Sequence, residues 1–409
     1  MSLDTLLRDV LGDDLPVRVE AWDGSGVGPT SATTRLVLRS PEAIRRIVTA
    51  PGELGFARAY VAGDLDLDGD VFEALALRDR LPDVKLSPRQ LLAAARTIGL
   101  RDLKPLPPPP EEARLRGRRH SKARDAAAIA HHYDVGNDFY RLVLGPTMTY
   151  SCAVFERPDA TLEEAQTAKL DLVCRKLDLH EGQRLLDVGC GWGSMAIHAA
   201  STYGVRVVGV TLSRQQQELA AKRVAEAGVG DLVEIRYQDY RDVADGPYDA
   251  ISSIGMFEHV GEARMAEYFG NLLSLLRPGG RLLNHGISRP PGDRARFSRG
   301  GFVERYVFPD GELLEVGRTV SAVQRAGFEV RHLETLREHY ALTLRRWVAN
   351  LEESWAEAVA LAGEARARIW RLYMAGSAVN FEAGRTQVHQ ILAVKADGGD
   401  SGTPLRPWW

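Results

Sequence analysis

The feature that most constrains this chain is a repeating unit of apolar run, turn and helix that begins near residue 184. Arg184-Leu185-Leu186-Asp187-Val188 reads as a buried strand, Gly189-Cys190-Gly191-Trp192-Gly193 as its turn, and Ser194 to Tyr203 as a helix. Val205 to Val210 leads through Thr211-Leu212-Ser213 into a helix from Arg214 to about Ala227, and Val233 to Tyr237 ends at Gln238-Asp239-Tyr240. Tyr248 to Ile254 ends at Gly255-Met256-Phe257-Glu258-His259, and Arg281 to Asn284 follows the turn Arg277-Pro278-Gly279-Gly280. Strands alternating with helices require crossover connections, which build a parallel sheet covered on both faces. The expected fold class is α/β with a doubly wound, mostly parallel sheet, and ligands sit beyond its C-terminal strand ends.

Upstream, residues 1–104 mix short helices with strand-like alternation such as Arg35-Leu36-Val37-Leu38 and read as a domain of their own. The acidic turn Val61 to Asp70 lacks the glycine and glutamate spacing of a calcium loop. Lys104-Pro105-Leu106-Pro107-Pro108-Pro109-Pro110 is expected to be an extended spacer, because consecutive prolines fix φ and lack amide donors. With the basic run after it (Arg114, Arg116, Arg118, Arg119, His120, Lys122, Arg124), it makes 105–122 a linker and 123–409 the domain that carries the repeating strand–helix units. That basic run reads either as a solvated helix start or as a contact for anionic lipid head groups.

A net charge of -3 and a pI near 6.4 exclude a protein built to grip nucleic acid. The N-terminus has no secretory pattern and no window of about 20 apolar residues exists. Three cysteines, Cys152, Cys174 and Cys190, fit a reducing cytoplasm rather than a disulfide framework.

The turn after the first strand has glycines where the backbone bends sharply before a helix N-terminus. Its spacing, an acidic residue followed by GxGxG, departs from the nicotinamide GxGxxG fingerprint. Strand-DxGxGxG-helix is how S-adenosylmethionine (SAM) methyltransferases begin. Asp187 can organise the turn and hold the methionine ammonium, while Gly189, Gly191 and Gly193 permit close backbone approach. The second strand ends without the usual acidic residue, so Gln216 is the candidate ribose partner. Asp239 can accept from the adenine amine, and Tyr240 can offer it a ring face.

Six motifs occur in order: His132-Tyr133-Asp134-Val135-Gly136-Asn137-Asp138-Phe139-Tyr140, Thr149-Tyr150-Ser151-Cys152-Ala153, Leu186 to Gly193, Val210 to Ser213, Gly255 to Gly261 and His339 to Leu344. The chain thereby resembles the cyclopropane-fatty-acyl-phospholipid synthase family, which includes mycolic acid cyclopropane synthases and actinobacterial enzymes making methyl-branched fatty acids. The resemblance implies a seven-stranded class I methyltransferase sheet and a small N-terminal α+β domain associated with lipid or dimer contacts. It implies methyl transfer from SAM to an alkene carbon of an unsaturated phospholipid acyl chain, with bound bicarbonate taking the proton. Tyr150, Ser151, Gly189, Gly191, Thr211, Leu212, Gln216 and Tyr240 would touch SAM. Cys152, Glu258, His285, Tyr340 and the backbone of Ile287 would hold bicarbonate. No metal is implied, since neither HExxH nor CxxC spacing is present. A raised Glu258 pKa is expected from the neighbouring anion. Relatives often carry a cysteine where this chain has Ala375-Gly376-Ser377-Ala378, so no catalytic thiol is expected there.

The expected product is a cyclopropane. The alternative is a methylene branch, reduced to a methyl branch by a partner reductase, and identical residue types serve both. Phe139, Phe155, Met256, Phe257, Phe302, Tyr306, Phe308 and Trp347 are candidates for an acyl tunnel. The resemblance also implies a homodimer visiting the inner face of the membrane, with Pro407-Trp408-Trp409 at the head groups or frayed. Two rivals are a small-molecule O- or N-methyltransferase, which needs no bicarbonate cluster, and a catalytically dead binding protein, which would have lost the reacting set.

Overall fold

A computed structural model describes residues 2–80, 104–113, 135–292, 300–407 and 409, with scattered positions between 90 and 132. The chain divides into two compact units. One comprises Met1–Arg114, Ser298–Val307 and Trp355–Val379; the other comprises Leu115–Phe297, Phe308–Ser354 and Asn380–Trp409. Neither unit is one continuous stretch: 298–307 and 355–379 group with the N-terminal residues.

The first unit contains a four-stranded sheet in the order β2-β1-β3-β4, formed by β1 (Arg18–Ala21), β2 (Gly26–Val27), β3 (Arg35–Leu38) and β4 (Leu65–Asp68). Period-two alternation puts Leu36 and Leu38 into the core from β3, and Leu65 and Leu67 from β4. The helices α1 (Leu3–Leu11), α2 (Pro41–Thr49), α3 (Glu53–Val61) and α4 (Val71–Arg80) complete its N-terminal part. The carboxylates of the acidic turn are engaged within the fold. Asp64 accepts from Arg46 Nε at 2.7 Å, Asp66 from Arg39 Nε at 3.1 Å, and Asp70 from the backbone of Phe72 at 2.7 Å. The proline segment is tied to α2, where Arg45 and Arg46 donate to the carbonyls of Lys104 and Pro107 at 2.7 and 3.0 Å.

The second unit is built on β5 (Arg184–Val188), β6 (Arg206–Thr211), β7 (Val233–Tyr237), β8 (Tyr248–Ile254), β9 (Leu276–Arg289), β10 (Leu314–Glu315), β11 (Glu329–Thr335) and β12 (Gln387–Val394). The order is β11-β12-β9-β8-β5-β6-β7, with two-residue β10 paired to β9. All pairings from β7 to β9 are parallel, whereas β12 runs antiparallel to both β9 and β11. This is the expected doubly wound, mostly parallel sheet. One difference is that Arg277-Pro278-Gly279-Gly280 lies within β9 instead of forming a turn before it. Gly279 donates to the Lys395 carbonyl at 2.6 Å, which holds that segment extended.

Helices cover both faces: α5 (Asn137–Leu144), α6 (Leu162–Leu177), α7 (Ser194–Tyr203), α8 (Arg214–Glu226), α9 (Met265–Leu275), α10 (Val316–Arg325) and α11 (Arg337–Glu353). One core layer joins α6 and α7 to Leu185, Val207 and Leu283; the opposite layer joins α9 and α10 to Leu186, Val208 and Leu282. Adjacent strand residues thus feed opposite layers, as a sheet buried on both sides requires. Of the basic run, Arg114, Arg116, Arg118, Arg119 and His120 lie outside the described residues. Lys122 pairs with Asp242 at 2.7 Å, and Arg124 pairs with Asp310. Trp408 lies outside them too, while Trp409 packs against the α6–α7 core layer. Among the described residues no helix is long and apolar enough to cross a membrane. Nor does any group of three His, Cys, Asp or Glu among them sit as a metal site.

Candidate active site

An open cavity of about 950 Å³ lies at the C-terminal ends of β5, β6 and β8, where the parallel order reverses. Of the residues expected to meet SAM, it is lined by Tyr150, Ser151, Asp187, Gly189, Gly191, Thr211, Leu212, Gln216 and Tyr240. Gly193 and Asp239 are not among its lining.

The loop after β5 turns through positive φ at Gly189 (77°), Gly191 (54°) and Gly193 (81°), which only glycine adopts without strain. A Cβ on Gly189 would lie 3.2 Å from Met256 Cβ, and one on Gly193 would lie 3.3 Å from Ala220 Cβ. Gly193 therefore serves the packing of α7 on α8. Trp192 Nε1 donates to Asn137 Oδ1 at 2.8 Å, tying the loop to the His132–Tyr140 motif. At the end of β6, Thr211 Oγ1 donates to Gln216 Oε1 at 2.8 Å, which leaves the Gln216 amide group to offer a ligand.

Asp239 is tied to its own loop. Both its oxygens accept from Arg241 and one also accepts the Arg241 backbone N–H, so its carboxylate caps the short turn of Tyr240–Asp242. Tyr240 remains on the cavity wall, its ring set edge-on to Tyr268 at 5.3 Å.

Two buried ionisable groups face each other's field here. Asp187 Oδ1 accepts from Ser252 Oγ at 2.7 Å, Oδ2 has no partner, and burial pushes its pKa up to about 6. Lys169, on α6, lines the same cavity and donates to Ser151 Oγ at 2.9 Å. Burial pushes its pKa down to about 8. Sequence reading passed over Lys169, although it shares the helical stripe Ala165, Leu172, Lys176, every member of which is buried. A lysine at core spacing was the available signal.

The five residues implied for bicarbonate are linked by a continuous set of backbone and side-chain bonds. Glu258 Oε1 accepts the Ile287 N–H at 2.6 Å. Ile287 is paired across the sheet with Val388, whose carbonyl accepts from Leu336 N at 3.0 Å. The Leu336 carbonyl accepts the Cys152 thiol at 3.6 Å and the Tyr340 N–H at 3.0 Å, the latter in the first turn of α11. His285 is paired in register with Ile254, which lines the cavity, and its carbonyl accepts the Gly255 N–H at 2.9 Å. None of the five lines the cavity itself; Ser151 and His259, next to Cys152 and Glu258 in the chain, and Ile254, paired with His285, do.

Their polar atoms are set for a ligand. Glu258 Oε2 and His285 Nε2 are buried without a partner among the described residues, and buried polar atoms left unpaired are costly. Burial raises the Glu258 pKa to about 7, opposed only by backbone N–H groups. The expected rise therefore has a different cause from the one anticipated: desolvation, with no neighbouring anion needed. Burial first, then the cations Lys169 and Lys176, hold the His285 pKa well below its ordinary value, so the ring is neutral. Burial likewise pushes the Cys152 pKa far up, which makes it a thiol donor and not a thiolate. Of the implied set, the neutral imidazole and the protonatable carboxyl are the groups that keep a buried polar atom for a small oxyanion, while the Cys152 thiol is turned to backbone carbonyls.

Of the tunnel candidates, Met256 alone lines the cavity. Phe139 and Phe257 are core, Trp347 is fully buried 5.3 Å from the Tyr150 ring, Phe308 stacks on His132, and Tyr306 donates to Glu112 within the first unit.

Residues 120–391 match the family described as mycolic acid cyclopropane synthetase. A probable fatty acid methyltransferase of Mycobacterium tuberculosis is 51% identical over 406 residues, covering 96% of this chain and 95% of that protein. A tuberculostearic acid methyltransferase of the same organism is 34% identical over 396 residues, covering 93% and 88%. Among solved structures, a mycolic acid cyclopropane synthase complexed with SAH and CTAB matches with a TM-score of 0.62 at 37% identity, covering 66% of this chain and 97% of that one.

Proposed function

Because the chain belongs to the mycolic acid cyclopropane synthetase family and is a SAM-dependent methyltransferase, we propose that it adds a one-carbon unit to the double bond of an unsaturated fatty acyl chain carried by a phospholipid. The observation that carries this reading is the pair of buried atoms without a partner among the described residues, Glu258 Oε2 and His285 Nε2, next to His259 and Ile254, which line a cavity walled by the glycine loop.

When bound, SAM presents an electrophilic methyl and bicarbonate supplies the base. The alkene electrons form the new C–C bond as the C–S bond breaks, which leaves a cation on the acyl chain. This chain's residues are suited to tolerate that cation. Cys152 stays a thiol, His285 is neutral with its lysine neighbours, and burial keeps water, the common trap, away. Asp187 and Gln216, both on the cavity wall, would hold the cofactor's ammonium and ribose ends. Glu258, with a pKa near 7, can donate to the oxyanion when protonated. Loss of a proton from the new methyl as the ring closes gives a cyclopropane.

A second reading has an observation of its own. The relatives that match nearly the whole chain are named fatty acid methyltransferases, while the cyclopropane mycolic acid synthases cover about two thirds of it. There a hydride shift precedes proton loss, giving a methylene branch for a partner reductase. In either case the enzyme works at the inner face of a bilayer, as a homodimer.

The test is mass spectrometry of acyl chains after incubating the protein with SAM and oleoyl phospholipid vesicles, with and without bicarbonate. Gain of one CH2 unit that is slowed by bicarbonate depletion supports the reading, and position-resolved fragmentation separates ring from methylene. No gain with SAM binding intact overturns it, and bicarbonate-insensitive methylation of a small acceptor favours the O- or N-methyltransferase rival.

A further inference from the structure

We propose that Lys176 and Gln390 are positioning residues that hold His285 as the neutral tautomer protonated on Nε2, so that the ring presents a hydrogen-bond donor to the reacting centre. The inference rests on the reading above only for the use made of that donor.

The direction of the bonds follows from what each group is able to do. Lys176 is fully buried on α6, and its Nζ donates to Gln390 Oε1 at 2.7 Å and to the Glu334 carboxylate. An ammonium only donates, so the Gln390 atom facing it is the oxygen. The other end of that amide is then the NH2 group, and it lies 3.2 Å from His285 Nδ1. The NH2 group only donates, so Nδ1 accepts. A neutral imidazole carries one proton, which must sit on Nε2. Gln390 and His285 face each other directly across β12 and β9, so the contact is fixed by sheet register and not by a mobile loop.

The Nε2–H has no partner among the described residues. An oxyanion beside it gains a donor, whereas the other tautomer would turn a lone pair toward the anion. Lys176 and Gln390 touch neither ligand; they act through the ring. Glu334 pairs the lysine charge, so a buried cation is kept where it serves as the reference for the whole relay.

The test labels histidine nitrogens with 15N and reads the two-bond nitrogen–proton correlation of His285 by NMR, assigned by its loss in His285→Asn. The expected wild-type pattern is Nε2–H in the substrate-free protein. Gln390→Glu replaces the donor with an acceptor and should move the proton to Nδ1. It should also lower kcat for methyl transfer about 100-fold, as loss of an oxyanion donor does, with the KM for SAM unchanged. Lys176→Met should release the amide and give a mixture of tautomers. A wild-type ring protonated on Nδ1 or on both nitrogens overturns the proposal, whether or not the variants fold. So does Gln390→Glu that retains Nε2–H. Since the tautomer is read without substrate, an Nε2–H ring in a protein that fails to modify acyl chains would sink the proposed function alone.

Discussion

Glu258→Gln isolates the energetic consequence of burying a carboxyl with no counter-charge. Folding moves this group from an ordinary value of 4.5 to about 7, with desolvation as the cause and only backbone N–H groups opposing it. For an acid whose folded pKa is raised, the native state binds more protons than the unfolded state between the two values. Stability is therefore full below the unfolded pKa and falls as pH rises through the folded one. At about 1.4 kcal/mol per unit, the penalty is roughly 1 kcal/mol at pH 5.5 and roughly 3 kcal/mol at pH 8.5. Glutamine keeps an oxygen for the Ile287 N–H and has no charge to desolvate. The stability of Glu258→Gln relative to wild type should accordingly improve by about 2 kcal/mol between those two pH values. Urea unfolding at both, with matching slopes to show that the same unit unfolds, measures the swing. A difference between the two proteins that stays constant with pH would refute the reasoning, for Glu258 would then be ionised in the fold as readily as in the unfolded chain.

Gly189→Ala adds a Cβ at φ 77° against Met256, and SAM affinity measured by calorimetry should fall about tenfold or more, each 1.4 kcal/mol of strain being a factor of ten. Gly228→Ala, at φ 70° with nothing within 4 Å, should carry backbone strain alone and leave affinity unchanged; equal losses in both would discredit the close-approach argument. Cys152 should resist iodoacetamide in the folded protein at mildly alkaline pH and react once urea unfolds it, as peptide mapping would report. Rapid labelling of the native protein would mean that a thiolate is present.

The strands Arg184–Val188, Val233–Tyr237 and Tyr248–Ile254 were legible to the residue, because the first and last stop at a glycine and the middle one alternates apolar with charged residues up to Gln238-Asp239. β11 and β12 were not, since nothing local separates a mixed stretch such as Gln387–Val394, apolar chiefly in its second half, from a buried helix turn. The glycine loop, Thr211 and Gln216 were readable from their place after a strand. The site's other half depended on contacts that no spacing encodes. Asp239 is absent from the cavity lining, and Arg241, two residues on, bonds both its oxygens, which no spacing announces. Lys169 and Lys176 read as ordinary helix lysines, and only Ser151, Glu334 and Gln390 explain why they are inside.

β12 comes later in the chain than every other strand, yet it lies in the interior of the sheet, between β11 and β9. During synthesis on the ribosome, then, β9 waits with a bare edge, the kind that invites pairing with other chains. The glycine loop and the cavity walls on β5, β6 and β8 are already made at that stage. A nascent or truncated chain lacking Gln387–Val394 has the parts that recognise a nucleoside but neither Gln390 beside His285 nor Val388 to anchor Leu336. The two halves of the site are thus completed at different moments, and the half around His285 is sealed only by the last strand to arrive.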